Sequence, residues 1–440
     1  MSDLISLGLD VGTTSSQLVV SRLRIENRAG SFAVPQMEIR EREILYKSPV
    51  HFTPLLEGDL VDAPKLRQMV DEELINAGIT REQVDTGAII ITGETSRKEN
   101  ARNVLEELSG YAGEFVVATA GPDLESVLAA KGAGAVEFSE QTGKRVLHMD
   151  IGGGTSNLAL IENGKIVATT CLNVGGRLLK IDENGKITYI SPVLKGLFHG
   201  NVGDYVNQEE VLTLCRLLVG ALEASAGLRE WENRMSGLVT AGAGRMEPPR
   251  DAVISFSGGV ADCIDRQQPW LSFGDMGPEL GMAIRESRLC QGEYMLGAET
   301  IRATVIGAGC HSAQLTGSTV FYQNISFPLK NLPVAESVEA LAAIDEPGVL
   351  ALAGIQSPDY SQVAQLAEEL AGAVRNRPVI LAVQEDMAKA LGQQLALRLG
   401  QDVPLLCLDR ICLKAGDYLD VGAPVGPALP VVIKTLVLGR

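Results

Sequence analysis

The sequence predicts an α/β protein with two related lobes and a small α/β unit at its C-terminal end. Three observations carry that expectation: short apolar strands alternate with helical stretches, one polar glycine-bearing hairpin recurs after 140 residues, and a regular strand-helix alternation follows Pro333. Length agrees, because 440 residues exceed what one core accommodates and imply roughly two to four domains. Composition is that of a folded chain, with 45% hydrophobic and 21% charged residues.

Taken in order, residues 4–11 (LISLGLDV) alternate loosely as a strand, residues 12–16 turn the chain, and residues 17–21 (QLVVS) run back. Residues 22–60 are more charged and carry Pro35, Pro49 and Pro54, so they are expected to supply strands and an inserted flap. Pro64–Ala77 has helical spacing, with a proline at its start and Gly78 at its stop. Ala88–Thr92 is a short buried strand, followed by the turn Gly93-Glu94-Thr95 and a helix over 97–108. Phe115–Ala118 is the next strand, and residues 124–134 (LESVLAAKGAG) form a helix whose small residues suit close packing.

Val146–Asp150, Asn157–Ile161 and Ile166–Leu172 read as three strands, the last two joined at Asn163-Gly164. Residues 209–226 are helical, the run 253–257 enters the turn Gly258-Gly259, and 304–320 is expected to repeat a strand, a glycine turn and a helix or strand. In the C-terminal unit, strands 349–353, 379–383 and 405–408 alternate with helices near 360–374 and 386–399, and residues 418–438 add edge strands. The expected domains are a first lobe over 1–140, a second over 141–330, and the C-terminal unit over 331–440.

Charge narrows the partners. Lys and Arg number 38 against 55 Asp and Glu, a net charge of −17, and no basic block stands ready to neutralise a run of phosphates. Nucleic acid is therefore not an expected partner. The apolar runs are too short for a bilayer and the N-terminal residues lack a basic n-region, so no membrane contact and a cytoplasmic location are expected. Cysteines 171, 215, 263, 290, 310, 407 and 412 are scattered, and histidines 51, 148, 199 and 311 stand apart from them. The cysteines read as reduced core thiols, and no His/Cys metal site is expected.

The recurring hairpin is where chemistry enters. At the offset of 140, Asp10 meets Asp150, Gly12 meets Gly152, Ser15 meets Thr155, Ser16 meets Ser156, Gln17 meets Asn157 and Leu18 meets Leu158. One Asp-x-Gly turn is ordinary turn chemistry. Two in register imply homologous lobes that offer matching turns to one cleft. Glycines 12, 152, 153 and 154 let a backbone approach a polyphosphate and adopt positive φ, so that N–H groups converge as an anion nest. The hydroxyls of Thr13, Thr14, Ser15 and Thr155 add donors. A carboxylate beside a triphosphate is repelled by it unless a divalent ion intervenes, so Asp10 and Asp150 are expected as Mg²⁺ ligands, with Thr92 and Thr95 in reach of the metal. Gly258-Gly259, after an apolar strand, supplies bare backbone for a purine and ribose to lie against.

These motifs resemble those of the actin, heat-shock chaperone and sugar-kinase ATPase superfamily. Asp10-Val11-Gly12-Thr13-Thr14 is similar to its first phosphate motif, Asp150 to Thr155 to its second, and Phe256 to Gly259 to its adenosine motif. Residues 122–134 and 305–315 look like its two connecting helices, so the match spans about 4–320. A narrower resemblance rests on ITGETSRKENA (91–101), AGPDLESVLAAKGAGA (120–135), MDIGGGTSNLALI and GAGCHSAQLTGST (307–319). These runs are similar to the ethanolamine-utilisation EutA family, reactivating factors of ethanolamine ammonia-lyase. The resemblance implies an actin-like ATPase, duplicated ribonuclease H-like domains with the nucleotide cleft between them, using ATP/ADP with Mg²⁺. It implies the lyase as client, cobalamin touched only indirectly, expulsion of damaged cobalamin as the task, and association with an ethanolamine microcompartment. A homodimer is compatible with it.

One departure matters. Heat-shock chaperones keep an acid just before the proline of the first connecting segment, and here that residue is Gly121. The water-orienting role falls to Glu94 or Glu125, each of which equally suits a helix N-terminal acid, and slow hydrolysis is expected. The competing readings are a sugar-type kinase, a filament former, and a reactivase of diol or glycerol dehydratase.

Overall fold

The computed structural model describes residues 2–12, 15–27, 37–56, 60–91, 116–119, 122–240, 246–247, 249, 251–266, 268–297, 299–311, 313–315, 320–344, 347–373, 378–415, 417–424 and 429–435. Contacts divide these into two units, one within Met1–Ile91, Arg97–Thr119 and Ser312–Arg440, the other within Thr92–Ser96 and Ala120–His311.

In the first unit, β1 (Ser2–Val11) and β2 (Ser15–Asn27) form the expected hairpin, with Leu9 opposite Leu18 and Asp10 opposite Gln17. Of the segment read as strands with a flap, β2 continues to Asn27 and β3 (Met37–Lys47) pairs with it antiparallel along its length, while 28–36 and 57–59 lie outside the described residues. Arg22, Arg24 and Arg40 meet Glu43, Glu41 and Glu26 across these strands, so part of the segment's charge is cross-strand pairing. A short β4 (His51–Phe52) adds to β2. Helix α1 (Ala63–Asn76) starts at the Asp62 cap with Pro64 in its first turn. It buries Leu66, Val70 and Leu74 against Leu7, Leu9, Leu18 and Val20. β5 (Thr86–Ile91) and β6 (Val116–Thr119) then lie parallel to β1, giving the order β3-β2-β1-β5-β6.

The second unit repeats that order. Helices α2 (Pro122–Gly132) and α3 (Ala135–Thr142) precede a hairpin of β7 (Val146–Ile151) and β8 (Ser156–Glu162), and β9 (Lys165–Leu172) extends it through Asn163-Gly164, both at positive φ. A ribbon of β10 (Leu179–Ile181) and β11 (Ile187–Ile190) and helix α4 (Gln208–Ser225) lead to β12 (Val253–Ser257) and β13 (Tyr294–Leu296), flanking helix α5 (Gly277–Glu286). The sheet runs β13-β12-β7-β8-β9, antiparallel and parallel pairs falling where the first sheet has them. The α/β fold with duplicated sheets is therefore present.

Two expectations change. Residues 304–311, read by pattern as a strand and by resemblance as a connecting helix, form the helix: α6 (Ala303–His311) crosses α2, where a Cβ on Gly132 or Gly307 would collide with the carbonyl of Ala303 or Leu128. Close packing of small residues, not sheet pairing, claims this segment. The contact units also differ from the expected boundaries at 140 and 330. Ala130 and Ala135 bury with Val146, Ala159, Ile161 and Val253, which draws α2 and α3 into the second unit.

The C-terminal elements group with the first unit. They are β14 (Ala313–Leu315), β15 (Phe321–Gln323), β16 (Leu329–Ala335), α7 (Val338–Ala342), β17 (Val349–Leu352), α8 (Tyr360–Ala373), β18 (Val379–Val383), α9 (Ala388–Leu399), β19 (Leu405–Asp409), β20 (Asp417–Val421) and β21 (Pro430–Thr435). β16 to β19 are parallel, as the βαβαβ pattern requires, and β20 and β21 extend the sheet antiparallel.

Candidate nucleotide site

The second hairpin turn is the best-defined part of the site. β7 is buried almost throughout and delivers Asp150 at its end; Gly152 to Thr155 then reverse the chain, closed by the Gly152 N–H donating to the Thr155 carbonyl at 2.9 Å. The first turn closes identically, Gly12 N–H to Ser15 carbonyl at 2.9 Å, and Asp10 ends β1 half-buried as Asp150 ends β7. The constant offset of 140 thus survives as one local structure built twice.

The glycines divide by role. Gly152, Gly153 and Gly154 are not in the left-handed region, so the positive-φ reason for them is corrected. Gly154 has no neighbour within 4 Å of where its Cβ would be, so its backbone is open and packing does not account for the glycine. Gly258 is the glycine with φ 86, and a Cβ there would collide with the carbonyl oxygen of Ile151. Packing accounts for Gly258, while Gly259 meets only Ile301 Cδ1 at 3.9 Å and offers bare backbone.

Asp150 is wired to the parallel strand beside it. β7 and β12 align His148 with Ser255 and Asp150 with Ser257, placing all four on one face. Ser257 donates to Asp150 Oδ1 at 2.5 Å; His148 Nε2 lies 2.9 Å from Ser257 Oγ, and His148 Nδ1 3.0 Å from Ser255 Oγ. Burial pushes the Asp150 carboxyl up to about 6 against the opposing hydroxyl bonds of Ser257 and Thr304, and burial holds His148 down to about 3. A neutral His148 with its proton on Nε2 satisfies the chain, since Ser257 then accepts from His148 while donating to Asp150. His148 is a fully buried core residue. On the antiparallel side Asp150 faces Asn157, whose Nδ2 donates to Glu125 at 2.8 Å on α2. Asn157 Oδ1 is buried with no hydrogen-bond partner among the described residues.

A third segment, missed in the sequence, completes this region. After β9, the Gly176 N–H donates to the Gly152 carbonyl at 3.0 Å and the Arg177 N–H to the Gly153 carbonyl at 2.6 Å. A Cβ on Gly175 would collide with Gly153. The legible signal was the pair Gly175-Gly176 directly after a strand. In the first unit, Thr53 does the corresponding work, donating to the Gly12 carbonyl at 2.7 Å and meeting Ser16 Oγ at 3.0 Å.

Thr13, Thr14, Thr92, Gly93, Glu94, Thr95 and Gly121 lie outside the described residues. Ser15 opens β2. The oxygen-only donors around Asp150, together with the open backbone at Gly154, suit Mg²⁺ and phosphate. No group of three or more His, Cys, Asp or Glu side chains gathers for a metal among the described residues. Six of the seven cysteines are buried thiols and Cys412 is exposed. Among the described residues no helix is long and apolar enough to cross a membrane.

The model of the family "Ethanolamine utilisation protein EutA" matches residues 2–346 and 336–439. The chain is 38% identical to each of two proteins named "Ethanolamine ammonia-lyase reactivase EutA", from Escherichia coli (strain K12) and Salmonella typhimurium, with 98% of both chains covered in each case. Among solved structures it is similar to the ethanolamine utilization protein EutJ from Carboxydothermus hydrogenoformans, at 16% identity and a TM-score of 0.34 over 70% of this chain and 90% of that one.

Proposed function

The chain belongs to the family of the ethanolamine utilisation protein EutA, and we propose that it is an ATP-dependent reactivase of ethanolamine ammonia-lyase. The observation that carries this reading is likeness along 98% of the chain to proteins bearing that name. In this reading both Asp-x-Gly turns bind MgATP, with Asp10 and Asp150 toward the metal, Thr95 adding a hydroxyl, the glycines of both turns and of Gly258-Gly259 toward the nucleotide, and Glu94 or Glu125 orienting water. A bound Mg²⁺ would neutralise the phosphates beside the two carboxylates. Nucleotide turnover is slow, and its output is a change of conformation that loosens damaged cobalamin from the lyase so that intact cofactor enters, in the cytoplasm or with an ethanolamine microcompartment.

The test uses lyase inactivated with cyanocobalamin, incubated with this protein, MgATP and fresh adenosylcobalamin. Activity returns with MgATP and not without it. Absence of recovery beside active controls rejects the reading, and recovery only of diol or glycerol dehydratase reassigns the client. A homodimer of this chain is tested alongside by sedimentation.

A further inference from the structure

We propose that Arg177 is the cation with which the second unit reads the outer phosphates of a nucleotide, making the site select di- and triphosphates over monophosphates; this deepens the MgATP reading and rests on it. Phosphate needs positive charge nearby, and the sequence is sparing with it. In residues 150–156, 173–177 and 257–260 of the second unit, Arg177 is the only Lys or Arg, while Asp150 is negative and the chain carries −17. Backbone N–H groups in a turn contribute only partial charges.

The structure places Arg177 where that charge is useful. Its own N–H is fastened to Gly153, and its Cβ, Cγ and Cδ lie 3.2 to 3.5 Å from the site of a Gly153 Cβ, so its methylene stem runs over the turn. The guanidinium is steered by Asp275, whose Oδ2 accepts from Nε at 3.3 Å and whose Oδ1 accepts from the Gly277 N–H at 2.8 Å. Asp275 is almost buried, and the Arg177 side chain is 42% exposed. The pair holds the guanidinium against a nearly buried carboxylate while leaving part of the side chain open to solvent. A guanidinium has five N–H donors in a planar fork, of which Nε–H is one, and that fork matches phosphate oxygens. Lys180 is the other cation sensed by Asp275, but its ammonium is turned to the Tyr189 ring at 5.6 Å. The first unit has no equivalent: the corresponding segment Ser48–Thr53 contains neither Lys nor Arg.

The experiment is calorimetric titration of wild type, Arg177→Gln and Arg177→Lys with MgATP, MgADP, AMP and adenosine. Glutamine keeps a stem over Gly153, and thermal melting of each variant checks the fold. The expected result is a tenfold or greater loss of MgATP and MgADP affinity in Arg177→Gln, adenosine and AMP affinity within twofold of wild type, and partial recovery in Arg177→Lys. MgATP affinity unchanged in Arg177→Gln overturns the proposal, as does an equal loss for adenosine. Should wild type bind none of the four ligands, the nucleotide reading itself fails, an outcome separate from both.

Discussion

The two hairpin turns share the bond that closes them and differ in what surrounds them. Both end a buried strand in an aspartate and close with the same 2.9 Å bond, and both are buttressed by the segment that follows the third strand. Around Asp10 the same-face positions are Gly8 on its own strand and Ala88 and Ile90 on the parallel neighbour. Around Asp150 they are His148, Ser255 and Ser257. The second copy differs in carrying a polar chain, whose Ser257 hydroxyl opposes the rise of the Asp150 carboxyl to about 6 that burial causes, and a cation at Arg177. The lesson is that a repeated motif fixes the backbone of a site and leaves its electrostatics to the flanking strands.

His148 offers the largest handle on that difference. Its folded pKa lies near 3, well below the usual 6.5, so its contribution is fully present above pH 6.5 and is lost as pH falls toward 3. The loss over that window is at most about 5 kcal/mol. His148→Asn is expected to flatten the acid limb of the stability curve, measured by urea denaturation at stepped pH. An unchanged limb would show that His148 is not held neutral.

Gly258→Ala comes next. It forces a Cβ into the carbonyl of Ile151 at φ 86, and a loss of at least about 3 kcal/mol is expected in the same assay. Gly154→Ala meets nothing and is expected to change stability by less than about 1 kcal/mol while weakening MgATP binding. Equal behaviour of the two would erase the distinction between a packing glycine and an approach glycine.

Asp150→Asn tests the raised carboxyl. A folded pKa near 6 against an ordinary 3.8 means the group favours the fold below pH 3.8, and that contribution is lost as pH rises through 6. Removing the charge is therefore expected to stabilise the nucleotide-free protein at pH 8 by at most about 3 kcal/mol, and not at pH 3.5. The same variant loses the Mg²⁺ dependence of nucleotide binding. Calorimetry and melting at the two pH values check both.

Much of this was legible in the chain. The strands of both hairpins, α1 with its proline start, and the C-terminal alternation are local patterns, and local pattern determines them. What escaped depends on which strand lies beside which. His148, Ser255 and Ser257 are separated by about a hundred residues and meet only through the parallel register of β7 and β12. Arg177 followed a glycine pair that looked like an ordinary loop until its bonds to Gly152 and Gly153 were seen. Pattern alone left residues 304–311 ambiguous, because Gly307 and its small neighbours suit a glycine turn as well as a close helix crossing, and it was the resemblance to a connecting helix that agreed with the structure.

The smallest effect separates the two turns most cleanly. Thr53→Val keeps shape but removes the hydroxyl that donates to the Gly12 carbonyl and meets Ser16, at a cost of about 1 kcal/mol. Ser156→Ala removes the corresponding support from the second turn, the hydroxyl that donates to the Val174 carbonyl at 2.8 Å, for a similar cost. If both turns hold nucleotide, each variant weakens MgATP binding several-fold in calorimetry, because each loosens the segment that holds its turn. If the second turn, with its oxygen-lined aspartate and adjacent arginine, does most of the binding, only Ser156→Ala weakens it and Thr53→Val is silent. The ratio of the two losses therefore measures how far the copies have diverged in function while keeping one backbone.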